Sequence, residues 1–186
     1  RMQRAPAVRG RLYFLLAWLH AVVTERLRYV PHGWTKAYEF GEGDQRGALD
    51  TIDDWIDRTT AAATAATAAT AAKKDEEEGE EEVPWLALRT LLAGALYGGR
   101  VDNAVDQRVL DSLVARLFVP ASLRTDAPFP LLLGAAPARV AMPPPAAPAS
   151  PAACLRWVAA LDVPESPDWL GLPPDADLLR MAAQAH

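Results

Sequence analysis

Residues 84–118 read PWLALRTLLAGALYGGRVDNAVDQRVLDSLVARLF, and the fold class follows from their spacing. Trp85, Leu88, Leu92 and Leu96 recur at three- and four-residue steps, the period of a helix with one apolar face. Pro84 suits the start of that helix, where a missing N–H costs nothing. Gly98 and Gly99 follow directly, and glycine can take the left-handed conformation that closes a helix. Asp102 or Asn103 can then cap a second helix, with Asp106 in its first turn at the favourable end of the dipole. Val105, Val109, Leu113 and Leu117 form its expected stripe, and Pro120 ends it. So short a turn sets the two helices against each other with their apolar faces inward.

Bulk composition narrows the function. The 186 residues allow one domain with a sizeable core, although alanine inflates the hydrophobic share of 51%. Residues 73–82 carry two lysines and seven carboxylates, which accounts for the whole net charge of −5. The balanced remainder argues against a nucleic-acid surface, which needs a basic excess on one face. With Cys154 as the single cysteine, neither an internal disulfide nor a cysteine-rich metal site can form, and a reducing compartment fits. The apolar run 12–23 follows arginines, as in a signal peptide. His20 interrupts it, it is too short for a bilayer, and its pattern continues past Glu25 and Arg26, so a buried helix is expected instead.

Working outward, residues 8–29 form a first helix. Leu12, Leu16, Leu19, Val23 and Leu27 make its buried face, and Phe14, Trp18 and Val22 widen it to two-sided packing. Arg26 and Arg28 suit the negative end of its dipole, and Pro31 and Gly33 stop it. The loop WTKAYEF is pinned by Trp34, Tyr38 and Phe40. A second helix spans about 44–58, capped by Asp44, with Leu49, Ile52, Trp55 and Ile56 inward, and the alanines that follow can extend it by a turn or two. Asp50, Asp53, Asp54 and Asp57 read as its solvated face rather than a metal cage, which needs ligands converging from a loop or facing helices. These elements divide the chain into a first helical pair (1–58), a low-complexity Ala/Thr/Glu insertion expected to be disordered (59–82) and the central helix–turn–helix (83–120). A Pro/Ala-rich irregular segment (121–150) and C-terminal helices cut short by the end of the sequence (151–186) follow.

In the irregular segment, Phe129, Leu131, Leu132 and Leu133 can lay an extended piece on the core, while Pro143, Pro144 and Pro145 forbid a helix. Ser150 and Pro151 open a helix with Leu155, Trp157, Val158 and Leu161 on its core face, which Pro164 and Pro167 close. Trp169 anchors the turn before a last helix, in which Leu178, Leu179 and Met181 are expected inward.

No residue set carries chemistry. There is no Gly-x-x-x-x-Gly-Lys-Ser/Thr phosphate loop, and Gly98-Gly99 follows a helix rather than a strand. His20, His32 and His186 have no histidine or cysteine at ligand spacing, and His20 reads as a hydrogen-bonded core or boundary residue. Arg100, beside two glycines, could sense a phosphate; a structural arginine holding the turn is preferred. Neither catalytic, cofactor nor metal residues are assigned.

Four blocks, in order, carry a family resemblance. They are RLYFLLAWLHAVVTERLRYVPHGWTKAYEF at 11–40, with its His-Ala-x-x-x-Glu-Arg core and Gly-Trp; TIDDWID at 51–57; residues 84–118, with Pro-Trp, Tyr-Gly-Gly-Arg-Val and Asp-x-Arg; and SPDWLGLP at 166–173. Together they resemble the small helical lid of the sixth AAA+ module of dynein heavy chains, just before the C-terminal domain. Leu-Ala-Trp at 16–18 and VDNAVDQR at 101–108 resemble the cytoplasmic rather than the ciliary type. The insertion at 59–82 and the stretch 135–151 depart from the family. The resemblance implies an all-α lid and a structural signature of Trp34, Trp85, Tyr97, Gly98, Gly99, Arg100, Asp102, Asp106 and Trp169. It also implies a parent that is a minus-end-directed microtubule motor in the cytoplasm, with ATP and Mg bound in other modules. In that parent the fragment would be non-catalytic and would relay conformational change to neighbouring modules and the C-terminal domain. Light intermediate and other accessory chains would be partners of the parent; nucleic acid and membrane would not. The rival reading is a free-standing helical adaptor with an apolar groove for a protein partner.

Overall fold

Helix α1 (Arg4–Glu25) is the mast of the fold because its apolar residues run round more than one side. Leu12, Leu15, Leu16, Leu19, Val22 and Val23 are completely buried. Each is worth about 1.5–3 kcal/mol relative to exposure. The computed structural model describes residues 4–69, 83–124, 127–131, 140–143, 151–161 and 167–184, without the side chains of 4–7, 59–69, 151 and 168. Among the described residues the chain is all-α, with one isolated antiparallel bridge between Pro130 and Ala141.

A 3₁₀ turn, Arg26–Tyr29, ends α1, and the chain folds back through a loop whose Trp34, Tyr38 and Phe40 are buried against one another. Helix α2 (Glu42–Ala69) then packs along α1 through Ala48, Ile52 and Ile56. Asp44 is not the cap that the sequence leads one to expect. It sits in the first turn and its carboxylate accepts the Gly41 N–H at 3.0 Å, the reach-back half of a capping box. Helix α2 runs past Arg58 into the alanine stretch, as far as Ala69. Alanine sustains a helix from backbone preference alone, without an apolar anchor. The charge run 73–82 lies outside the described residues.

The central stretch departs from an ideal helical pair. Helix α3 (Trp85–Thr90) passes into a π-helical turn, Leu91–Leu96, in which the Tyr97 N–H bonds the Leu92 carbonyl five residues back at 3.0 Å. The wider turn buries Leu92, Ala93 and Tyr97 together and leaves Leu96 only half-buried. A 3₁₀ turn, Gly98–Arg100, leads on to helix α4 (Ala104–Leu117), capped by Asn103, whose side chain accepts from the Val105 N–H at 2.8 Å. Neither junction glycine is left-handed; among the described glycines only Gly171, at φ 70°, is. Gly98 is required for space instead, since a Cβ there would lie 1.7 Å from the Ala93 carbonyl oxygen.

The buried face of α4 is also turned from the expected stripe. Asp106, Leu110, Leu113, Val114 and Leu117 are buried, while Val105 is exposed. Hydrogen bonds to the Asp106 carboxylate, described below, set that rotation.

A second aromatic layer covers the far side of α1. Trp18 stacks with Phe14 and meets Trp157 and Trp169 edge-on, so α1 packs on two sides. Phe129 and Leu131 are buried in an extended piece whose Leu131 carbonyl accepts the Trp18 indole N–H at 3.1 Å. Leu132, Leu133, Pro144, Pro145, Ser150 and Pro164 lie outside the described residues. Helices α5 (Pro151–Ala159) and α6 (Ala176–Gln184) contradict the expected inward faces: Leu155, Val158, Leu178, Leu179 and Met181 are exposed. On α5 the large Trp157 takes the core contact and turns its aliphatic neighbours out. On α6 the small Ala176 is buried and the Arg180 guanidinium lies over the Tyr29 ring, 5.5 Å from its centroid.

The two junction glycines make a direct test. Gly98→Ala is expected to cost about 3 kcal/mol, because the obstructing atom is backbone and cannot yield. A Cβ at Gly99 meets nothing within 4 Å. Gly99→Ala should therefore be neutral or stabilise by about 0.5–1 kcal/mol through the unfolded chain. Urea midpoints of the two variants measure the contrast.

Candidate functional site

The residues singled out at the end of α3 and the start of α4 converge with the 33–44 loop on one side of the molecule. At the centre is Asp106, a carboxylate with 2% exposure. Its oxygens accept the Thr35 N–H at 3.0 and 3.1 Å, the Thr35 hydroxyl at 2.5 Å and the Tyr38 hydroxyl at 2.6 Å. Burial pushes the carboxyl up, but these bonds and the Arg26 charge outweigh it and hold it below its ordinary value of 3.8. Tyr38, desolvated and bonded to Asp106, is pushed up to about 12.

Arg26 is the complementary cation. It is buried, and it donates to the Gly33 carbonyl at 3.1 Å and the Leu170 carbonyl at 2.5 Å. Its guanidinium lies 5.4 Å from the centroid of the Trp34 ring, whose own N–H bonds the Val23 carbonyl at 2.9 Å. Burial lowers this arginine to about 10, and Asp106 opposes the shift. Two buried charges thus tie segments by hydrogen bonds: Asp106 joins the loop to α4, and Arg26 joins the end of α1 to the loop and to the turn at Leu170.

The outer rim is weaker. Arg100 donates to Asp44 at 3.0 Å and is half-exposed, and Lys36 pairs with Asp102 in solvent. Such pairs contribute about 0–1 kcal/mol. Beside the Arg100–Asp44 pair lies an open cleft of ≈ 370 Å³ lined by Tyr38, Glu39, Phe40, Gly41, Gly43, Asp44 and Arg100. The carboxylate at its helix end already occupies the place an anion would take. Gln107 braces the π turn by donating to the Ala93 carbonyl at 2.7 Å. No group of three or more His, Cys, Asp or Glu is placed to hold a metal among the described residues. The acidic side of α2 is partly engaged: Arg9 pairs with Asp53 at 3.0 Å and with Asp57.

A family model described as "Dynein heavy chain AAA lid domain" matches residues 9–176. The chain belongs to the dynein heavy chain AAA lid family. It is 40% identical over 186 residues to "Dynein heavy chain, cytoplasmic" of Dictyostelium discoideum, and 43% over 182 residues to the protein of that name in Drosophila melanogaster. These alignments cover 100% and 95% of this chain and 4% of either relative. A more partial match, 40% over 113 residues, is to "Cytoplasmic dynein 2 heavy chain 1" of Chlamydomonas reinhardtii, covering 61% of this chain and 2% of that one.

The signature residues of this lid do not share one site. Trp34, Tyr97, Gly98, Arg100, Asp102 and Asp106 gather round the junction; Trp169 belongs to the aromatic layer across α1. Trp85 is half-buried at the start of α3, and Gly99 is exposed. Arg100 donates to Asp44 in the first turn of α2. Sequence reasoning missed two buried arginines. Arg26 suits a helix dipole in sequence but is buried in the structure, and Arg11 donates to the Ser122 carbonyl at 3.0 and 3.1 Å and to the Arg124 carbonyl at 3.0 Å. Their signal was the spacing: Arg11 and Arg26 bracket Leu15, Leu19 and Val22 at three- and four-residue steps, so both extend the buried stripe.

Asp106→Asn is expected to destabilise the lid by about 2–3 kcal/mol at neutral pH, because charge-assisted bonds are replaced by weaker ones and Arg26 loses its counter-charge. The carboxyl is depressed in the folded state, so its contribution is present above 3.8 and lost as pH falls through the folded value. Urea midpoints at neutral pH and at about pH 3 should show the gap between wild type and variant shrinking in acid.

Proposed function

We propose that this lid is a non-catalytic block that relays conformational change inside a dynein heavy chain, as the small helical subdomain of the sixth AAA+ module beside the C-terminal domain. The observation that carries this reading is the orientation of α6. That helix has apolar and polar sides, yet Leu178 is 69% and Met181 57% exposed while Asp177 and Arg180 lie against the body. Leu155, 70% exposed on α5, is a further outward apolar residue. Such residues gain nothing from water, and a neighbouring part of the same heavy chain is the occupant proposed for them.

The interior supports the same role. A relay must keep its shape under load, and the Asp106 and Arg26 ties are buried, charge-assisted and drawn from segments far apart in sequence. The parent is proposed to be an ATP-driven, minus-end-directed microtubule motor, with ATP and Mg held in other modules. Light intermediate and other accessory chains would bind elsewhere on it. A cytoplasmic setting is supported by the names of the relatives, and association with the cytoskeleton follows from the proposed motor role. No helix among the described residues is long and apolar enough to cross a membrane.

Two measurements test the proposal. The purified chain should give a helical circular-dichroism spectrum and no ATP turnover above background; turnover by the chain alone would overturn the non-catalytic role. In the parent motor, Leu178→Asp combined with Met181→Asp should slow microtubule gliding several-fold, while the melting of the isolated lid moves by no more than about 0.5 kcal/mol, as for surface substitutions. Unchanged gliding would remove the proposed relay face.

A further inference from the structure

The only hydrogen-bond partner of the Tyr97 hydroxyl among the described residues is the imidazole of His20, whose Nδ1 lies 3.0 Å away. Tyr97 is completely buried, at the point where the π turn hands over to the Gly98–Arg100 turn. His20 is half-buried on α1. The contact therefore joins the mast of the fold to the pivot of the central junction, and on one side it has a ring that titrates near neutrality.

We propose that His20 and Tyr97 form a proton-sensitive latch that holds the central junction on α1 when His20 is neutral and loosens it when His20 is protonated. The reason lies in donor and acceptor counts. Neutral imidazole with its proton on Nε2 offers Nδ1 as an acceptor, and the Tyr97 O–H donates to it. Protonated imidazole carries N–H on both nitrogens. Nδ1 then becomes a donor, the tyrosine oxygen must accept, and the Tyr97 O–H proton is left in a completely buried place with no acceptor among the described residues. The strain falls on a segment with no slack, because the backbone after Tyr97 is packed so closely that Gly98 has no room for a Cβ.

The surrounding charges set the balance. Burial lowers the His20 value, and Asp44 and Glu42 in the first turn of α2 act to raise it without reversing the shift. Asp44 is already engaged by Arg100 and by the Gly41 N–H. From the junction side Tyr97 supplies the hydroxyl. On α1 itself, Glu25 is bonded to Arg28 at 2.5 Å and Arg26 to the Gly33 and Leu170 carbonyls, so neither is free to serve His20.

The sign follows from linkage. Unfolded His20 titrates at 6.5 and the folded ring below it, so the latch is intact above 6.5 and weakens as pH falls from there through the folded value. In that window the opening equilibrium of the junction should rise by up to about tenfold per pH unit.

The test is an NMR titration of the 186-residue chain, with amide exchange read at Tyr97 and Gly98 in parallel. His20 should titrate below 6.5, the Tyr97 ring signals should move with the same midpoint, and exchange at the junction should accelerate as that window is entered. His20→Gln keeps an acceptor for Tyr97 but does not titrate, and should abolish the pH dependence of junction exchange while preserving the fold. Tyr97→Phe removes the bond that favours the neutral ring, so the His20 midpoint should move upward. A His20 midpoint at or above 6.5, Tyr97 signals indifferent to it, or junction exchange that keeps its pH dependence in His20→Gln would each overturn the latch.

Discussion

A single buried carboxylate organises the side of the molecule on which the recognisable residues gather. An ionised Asp106 out of contact with water would be intolerable without partners, because each lost hydrogen bond to a buried charge costs several kcal/mol. Thr35 and Tyr38 supply those partners from the loop, and Arg26 supplies the opposite charge from the end of α1. The requirement works in both directions. To satisfy Asp106, α4 must turn so that residue 106 faces inward, which brings Leu110, Val114 and Leu117 in and leaves Val105 out. To reach Asp106, the loop must cross the end of α1, which puts Trp34 over Arg26. The apolar core supplies most of the stabilisation, but it tolerates several rotations of a helix; the carboxylate tolerates one.

The π turn has a related origin. Its wider winding places Tyr97 on the buried side, next to His20 and Phe40, and brings the Ala93 carbonyl within reach of Gln107 on α4. The paired glycines look like a helix-closing motif, yet neither uses the left-handed conformation. One is there because its neighbour's carbonyl leaves no space, and the other is exposed and unconstrained. A rigid inner side thus faces an outer side, along α5 and α6, where aliphatic residues have no cover within the described residues.

Much of the fold was legible in the residues. The three- and four-residue spacing of Leu12, Leu16, Leu19 and Val23 marked α1, and the widening by Phe14 and Trp18 marked its two-sided packing. Punctuation by Asn103, Pro120 and Pro151 marked ends that the structure keeps. These signals are local: they depend on backbone preferences and on a helix needing one buried face, and both are written within a dozen residues. The family motifs were legible for the same reason, as short strings in order. The site was less so. In sequence Asp106 fits the dipole at one helix start and Arg26 the dipole at another helix end, as both would in isolated helices.

Sequence alone therefore determined the all-α class, the order of the helices, the pinned loop and the family, because periodicity, caps and motif strings are properties of neighbouring residues. Tertiary structure decided which charges are buried, how far α4 is turned and which apolar residues on α5 and α6 remain outside. Those outcomes depend on partners about 70 or 140 residues away, such as Thr35 with Asp106 and Arg26 with Leu170, and no local pattern records them.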